Sequence, residues 1–440
     1  MLGNLVVRAR QALRHVAVQN ALLLYTVQIS GYVFPFVTLS YLSRVLSPEK
    51  IGLISLATYF MWYFQTLTEY GFNLTATRRI AVQKDSPEAV NQIFNSVMVA
   101  KGLLTVVGFT VMMTVVALNP KYREHWVLFP LTFLTVVGSW LFPMWLYQGL
   151  EKMGTVAARD FIAKLLATGL TLLVVRRESD YLYAAGLQAG ASAIAGAISL
   201  ALAPRICGVR FKWVPWSDVV DVLRQGWAVF LSMAAGTLTS TTNVAILGQI
   251  TASTAEVAYY TNANRLVVAM RMLVNPIVTA LYPHISHMAA KSSGGAITFL
   301  RKYSLLMAAP FFLMGLVTCV FAPFIVHKLF GTKFDYTPSI LLLRIMAFQP
   351  FLLALSHSYA TYYMLAFGFE KQWSRIILRN TVLNFVLLGL FIWVMHIRAI
   401  TAMSIVGVCS DMFVLAASYY FFRVNTAKSH PEVALPVPQN

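Results

Sequence analysis

Five basic side chains, Lys101, Lys164, Arg265, Arg271 and Arg344, fall inside segments of this 440-residue chain that are otherwise apolar. A cation near the centre of a bilayer-crossing helix costs about 2.5–3.5 kcal/mol on insertion scales, so it faces a wet cavity or a partner, and a set of them points to an anionic cargo. Arg271 lies deepest, about 21 and 16 Å from the two ends of its segment at 1.5 Å per residue, too far for its side chain to reach the interface easily. Asn264, Val268, Arg271 and Asn275 share one helical face, with Arg265 beside it. That face suits cargo binding or a polar network that locks helices together. Lys101, Arg265 and Arg344 are shallower, and reaching for a headgroup explains them as well as cargo binding does. Lys164 follows Asp160 by one turn, the spacing at which an acid and a base on one helix neutralise each other.

Embedded acids are fewer: Glu69, Asp160 and Asp411. Inside a bilayer a carboxylate can load a proton, hold a sodium ion, or serve as the fixed partner of a cation. All three are candidates for H+ or Na+ coupling, and all three are equally candidates for pairing. The run TLTSTTN, Thr237 to Asn243, supplies hydroxyls that fit helix packing or a polar cavity.

The elements that must carry these residues are membrane helices. The chain is 58% hydrophobic and 11% charged, with a mean hydropathy of +0.67, a composition that excludes a soluble globular protein. Apolar stretches long enough for a ~30 Å hydrocarbon core recur at 20–43, 51–74, 93–118, 127–147, 156–175, 181–203, 226–250, 257–282, 303–326, 338–365, 376–395 and 399–422. The expectation is an all-α membrane protein of twelve helices in two pseudo-symmetric six-helix bundles, residues 1–203 and 226–440, joined by a cytoplasmic loop at 204–225. Basic residues concentrate in the N-terminal arm, the inner loops and the tail, which places both termini in the cytoplasm. The same bias accounts for most of the net charge of +18, so it is no sign of nucleic-acid binding.

Between the halves, SPEKIG (47–52) aligns with STAEVA (253–258), and LEKM (150–153) with FEKQ (369–372), a weak repeat that fits two like-oriented halves with a path between them. Prolines 35, 143, 276, 310 and 350 fall inside spans and fit helices that bend. Cys207, Cys319 and Cys409 show no metal or redox spacing, and no cofactor is expected. There is no GxxxxGK[ST] loop, no HExxH and no GxSxG. An ATP-driven pump of the P-loop kind is excluded, and the chain reads as a transporter, not an enzyme.

Three stretches are more specific: TEYGFNLTATRRIA (68–81), FPMWLYQGLEKM (142–153) and NANRLVVAMRMLVNPIVTALYPHIS (262–286). Together they resemble the polysaccharide-transporter family of bacterial O-antigen flippases, the Wzx type, within the superfamily that includes the multidrug and toxin extruders. The resemblance implies translocation of an undecaprenyl-pyrophosphate-linked oligosaccharide across the bacterial inner membrane by alternating access, with proton or sodium antiport and an association with polysaccharide polymerase machinery both open. It implies that cavity arginines contact the substrate, here Arg271 and Arg265. Arg78 and Arg79 fall in the matching 68–81 stretch at the inner mouth, where they could receive the headgroup or simply be positive-inside charges. A multidrug extruder shares the fold but calls for a carboxylate-lined cavity. A membrane-embedded ligase or polymerase calls for a larger outer loop than any present.

Overall fold

The computed structural model describes residue 31 and residues 33–251 and 253–429, with side chains at 153–160, 239–240 and 428–429 left aside. Every regular element among the described residues is helical. Eight helical segments are long and apolar enough to cross a membrane, and a ninth is added if Trp216–Leu238 and Thr241–Ile250, bent by 46°, form one span. The first of the twelve expected spans begins outside the described residues, and its described helix, Val33–Val45, is short. Aromatic and hydroxyl side chains dilute the hydropathy of the second, Pro48–Glu69.

Packing divides the chain into two compact units, Met1–Gly248 and Gln249–Asn440. The first holds α1 (Val33–Val45), α2 (Pro48–Glu69), α3 (Phe72–Val82), α4 (Pro87–Leu118), α5 (Leu128–Leu141), α6 (Met144–Gly149), α7 (Met153–Val174), α8 (Tyr181–Cys207) and nearly all of α9 (Trp216–Ile250). The second holds α10 (Thr254–Met272), α11 (Asn275–Lys291), α12 (Ser293–Phe330), α13 (Thr337–Met346), α14 (Gln349–Tyr359) running into a π-helical turn at Ala360–Leu365, α15 (Glu370–Gly389) and α16 (Ala399–Ser429). Local sequence sets many of these boundaries. Pro48 and Pro87 open α2 and α4, where a missing backbone N–H costs nothing, and Ser292 caps α12 by accepting from Gly295 N at 3.2 Å.

Within the first unit, α9 packs along α2 and α3. Leu56 lies against Gly248, Tyr63 bonds Thr242 at 2.8 Å, Thr66 bonds Thr237 at 2.8 Å, and the Tyr70 and Phe230 rings stack with centroids 4.6 Å apart. The described hydroxyls of the Thr237–Asn243 run are thus largely engaged in packing. Thr239 and Ser240 lie outside the described side chains.

Two of the sequence stretches that carry the family resemblance meet in the first unit. Tyr70 and Gly71 both adopt positive φ, +46° and +77°, ending α2 and restarting the chain as α3. A Cβ on Gly71 would fall 2.5 Å from Val229 Cγ1, so only glycine fits there. α3 then lies on α6, where Trp145 and Tyr147 are fully buried, Thr77 Oγ1 donates to the Trp145 carbonyl at 3.3 Å, and Tyr147 OH donates to the Ser199 carbonyl at 2.6 Å. Lys152 donates to the Ile206 carbonyl at the end of α8.

Candidate functional site

In the first unit, a cavity of about 260 Å³ opens among α1, α5, α7 and α8, lined by Phe34, Thr38, Ser139, Lys164, Gln188 and Ser192 among others. Its shape depends on small residues. α5 and α8 cross at Gly138 and Gly196, where a Cβ on Gly138 would fall 2.6 Å from the Ser192 carbonyl carbon and one on Gly196 would fall 2.5 Å from the Gly138 oxygen. This close crossing brings Ser139 and Ser192 to the same wall. On the opposite side Thr38 and Thr168 share a hydrogen bond of 3.1 Å. Lys164 is the cation in this lining, and among the described lining residues there is no carboxylate. The pairing of Lys164 with Asp160 falls on a side chain outside the described residues.

Lys101 does not reach for the interface. It is 2% exposed and donates to the Ser139 carbonyl, directly behind the cavity wall, with Glu69 near enough for the two charges to act on each other. An ammonium without a partner at such a site would be costly, and the Ser139 carbonyl offsets part of that cost. The structure therefore brings a candidate substrate contact, Lys101, and a candidate coupling acid, Glu69, near each other.

The second unit does the same with Arg271 and Asp411. Nη1 and Nη2 of Arg271 each lie 3.3 Å from a different oxygen of Asp411, a two-pronged pairing of α10 with α16. Both side chains are partly exposed, 32% and 16%. Around them, His357 Nδ1 bonds Thr361 Oγ1 at 2.8 Å and Asn384 Nδ2 donates to Ser410 Oγ at 3.2 Å. Arg271 sits at the end of α10, one turn before Pro276, and Asn275 opens α11 and is exposed. Asn264 and Arg265 are half-buried on α10.

Arg344 has a different task. Its Nε donates to the Cys319 carbonyl of α12 at 3.2 Å. Cys319 stands four residues before Pro323, which lies inside that helix and has no N–H to offer the carbonyl. Arg344 fills the hydrogen bond that the proline removes. At the end of α3, Arg79 bonds Gln225 at 3.2 Å and lies 3.7 Å from Asp221, which also accepts from Gln225, so its charge is matched by α9. Arg78 is exposed.

Sequence reasoning missed Ser139, Gln188, Ser192 and Thr38 as cavity residues. Gln188, an amide within an apolar span, was a visible signal; Ser192 gains its position only through the glycine crossing.

The model of the family described as "Polysaccharide biosynthesis protein" matches residues 17–289. A provisionally named O-antigen transporter of Escherichia coli strain K12 is 31% identical over 84% of this chain and 88% of its own. One of Shigella dysenteriae, named in the same way, is 27% identical over 83% of this chain and 90% of its own. Among solved structures, the lipid II flippase MurJ in an inward closed conformation superposes with a TM-score of 0.71 at 11% identity, covering 92% of this chain and 91% of that one. An inward-facing MATE family multidrug transporter superposes with a TM-score of 0.63 at 12% identity, covering 90% and 95%. These two likenesses identify the fold.

Proposed function

The chain belongs to the polysaccharide biosynthesis protein family, and from that premise we propose that it is a flippase, not an enzyme. It carries an undecaprenyl-pyrophosphate-linked oligosaccharide from the cytoplasmic to the periplasmic leaflet of the bacterial inner membrane by alternating access. The observation that carries this reading beyond family membership is the first unit's cavity, which holds Lys164 and, among its described lining, no carboxylate. Such a site can replace part of the hydration of an anionic headgroup. At about 260 Å³ it is smaller than the ~300–1,000 Å³ pockets that hold drug-sized ligands, so it takes part of the head, with the polyprenyl tail left in lipid.

In this reading Asp411 holds Arg271 in place when no cargo is bound. The cargo's diphosphate competes for the guanidinium, and the carboxylate it displaces becomes free to take a proton or a sodium ion. Glu69, near Lys101, and Asp160 are the other acids through which coupling runs in this reading. Arg265, Asn264 and Asn275 extend the contact surface beside Arg271, and Arg78 receives the headgroup at the inner mouth. The reading includes twelve spans in two six-helix halves, 1–203 and 226–440 about the 204–225 loop, both termini in the cytoplasm, and association with the polymerase machinery.

The test is deletion in the native host, followed by assay of surface polysaccharide and of lipid-linked oligosaccharide in each leaflet. Loss of surface polysaccharide with the intermediate trapped on the inner face is expected. Normal surface polysaccharide with nothing trapped, in a host without a second flippase, would contradict the proposal.

A further inference from the structure

Between α8 and α9 the chain runs without regular structure from Gly208 to Pro215, and it is nonetheless fixed in place. Asn91 and Asn95, one turn apart on α4, grip its backbone: Asn91 Oδ1 accepts from Arg210 N, Asn95 Nδ2 donates to the Arg210 carbonyl at 2.9 Å, and Asn95 Oδ1 accepts from Lys212 N at 3.0 Å. Two side-chain amides thus do what a neighbouring strand would do, and Val209 is pinned into the core beneath. What this clamp holds outward is unusual for a water-facing loop. Trp213 is 99% exposed, Trp216 62% and Phe211 59%, alternating with exposed Arg210 and Lys212.

The level of the segment follows from α4. Its 32 residues span about 48 Å, against ~30 Å of hydrocarbon, and its exposed apolar band begins at Leu103. Measured back from Leu118, ~30 Å of hydrocarbon takes up about 20 residues and ends near Met98, so Asn95 and Asn91 lie about 5 and 10 Å beyond it and the segment they hold runs at headgroup depth. Aromatic rings with nearby basic groups are the side chains that partition to that layer. Beside the segment is a groove of about 580 Å³ lined by Arg210, Lys212, Trp213, Asn91 and Gln92. Its carboxylates are Glu88 and Asp218, and Asp218 already accepts from Gln92 at 2.7 Å.

We propose that the segment Gly208–Trp216 is a preformed membrane-surface contact whose groove takes the headgroup of an anionic phospholipid of the surrounding leaflet. It fixes the inner end of the first unit against the bilayer. The inference is independent of what the protein transports.

The test is native mass spectrometry of the full-length protein from micelles doped with phosphatidylglycerol or phosphatidylcholine. The wild type is expected to retain phosphatidylglycerol in preference, and Arg210→Gln with Lys212→Gln to lower that retention about fivefold for each charge removed. Arg210→Lys with Lys212→Arg keeps the charges and is expected to keep the lipid, provided its melting in lipid-free detergent matches the wild type. Equal retention by the neutral double variant would overturn the proposal. So would one-for-one displacement of phosphatidylglycerol by undecaprenyl diphosphate, which would make the groove a cargo site.

Discussion

Arg271 is the residue at which binding and structure are hardest to separate, because its partner is known. Arg271→Ala leaves the Asp411 carboxylate half-buried without its base, a loss of about 1–3 kcal/mol, and is expected to abolish export. Removing both groups, Arg271→Ala with Asp411→Ala, recovers much of that stability in a thermal melt while export stays lost. Recovery of export in the double variant would show that the pair only holds α10 to α16. Arg271→Lys keeps a charge without the two-pronged geometry and is expected to retain part of the activity. For Arg344 the expectation is reversed. Arg344→Leu orphans the Cys319 carbonyl and lowers stability by about 1–3 kcal/mol, with transport per folded molecule unchanged. In a Pro323→Ala background the helix supplies its own N–H, and the same substitution costs less. A double-mutant cycle on melting temperatures reads this coupling directly.

At the scale of elements, the turn between α2 and α3 has the most definite prediction. Gly71→Ala meets both a positive φ and Val229, and it is expected to reduce the amount of folded protein sharply. Adding Val229→Ala removes the 2.5 Å contact with Cγ1 but leaves the Val229 Cβ at 2.9 Å and the left-handed backbone penalty of about 1–2 kcal/mol, so rescue is partial. Full rescue would place the whole cost in the contact with α9. That the elements are helices was legible in the sequence because it depends on local composition. The partners were not. Lys101 was expected either to reach for a headgroup or to meet cargo, and only the folding of α5 beside α4 sets the Ser139 carbonyl against it. Arg344 was read in the same two ways, and only the packing of α13 against α12 sets it on the Cys319 carbonyl that Pro323 leaves open. The stretch 68–81 was legible as a signature, yet its work, seating α3 on α6 and under α9, is long-range and leaves no periodicity to read.

For the molecule as a whole, the account rests on an anionic head being moved across a bilayer by a chain whose fold also carries drugs in other proteins. Fold likeness cannot choose between these cargoes, since the MurJ and MATE structures both superpose along nearly the full chain. Charge in the cavity can. Lys164→Ala is expected to slow transport several-fold at unchanged folded yield, with Lys164→Arg close to wild type, as measured by lipid-linked oligosaccharide reaching the outer leaflet in cells. The most direct measurement uses purified protein in sealed vesicles, loaded with undecaprenyl-diphosphate-linked oligosaccharide on one leaflet and followed with a membrane-impermeant sugar-oxidising reagent. The predicted result is a time-dependent rise in the accessible fraction on the opposite leaflet, above that of protein-free vesicles and lost with Arg271→Ala. An accessible fraction that never exceeds the protein-free control, in vesicles whose protein moves a cationic dye, would contradict it.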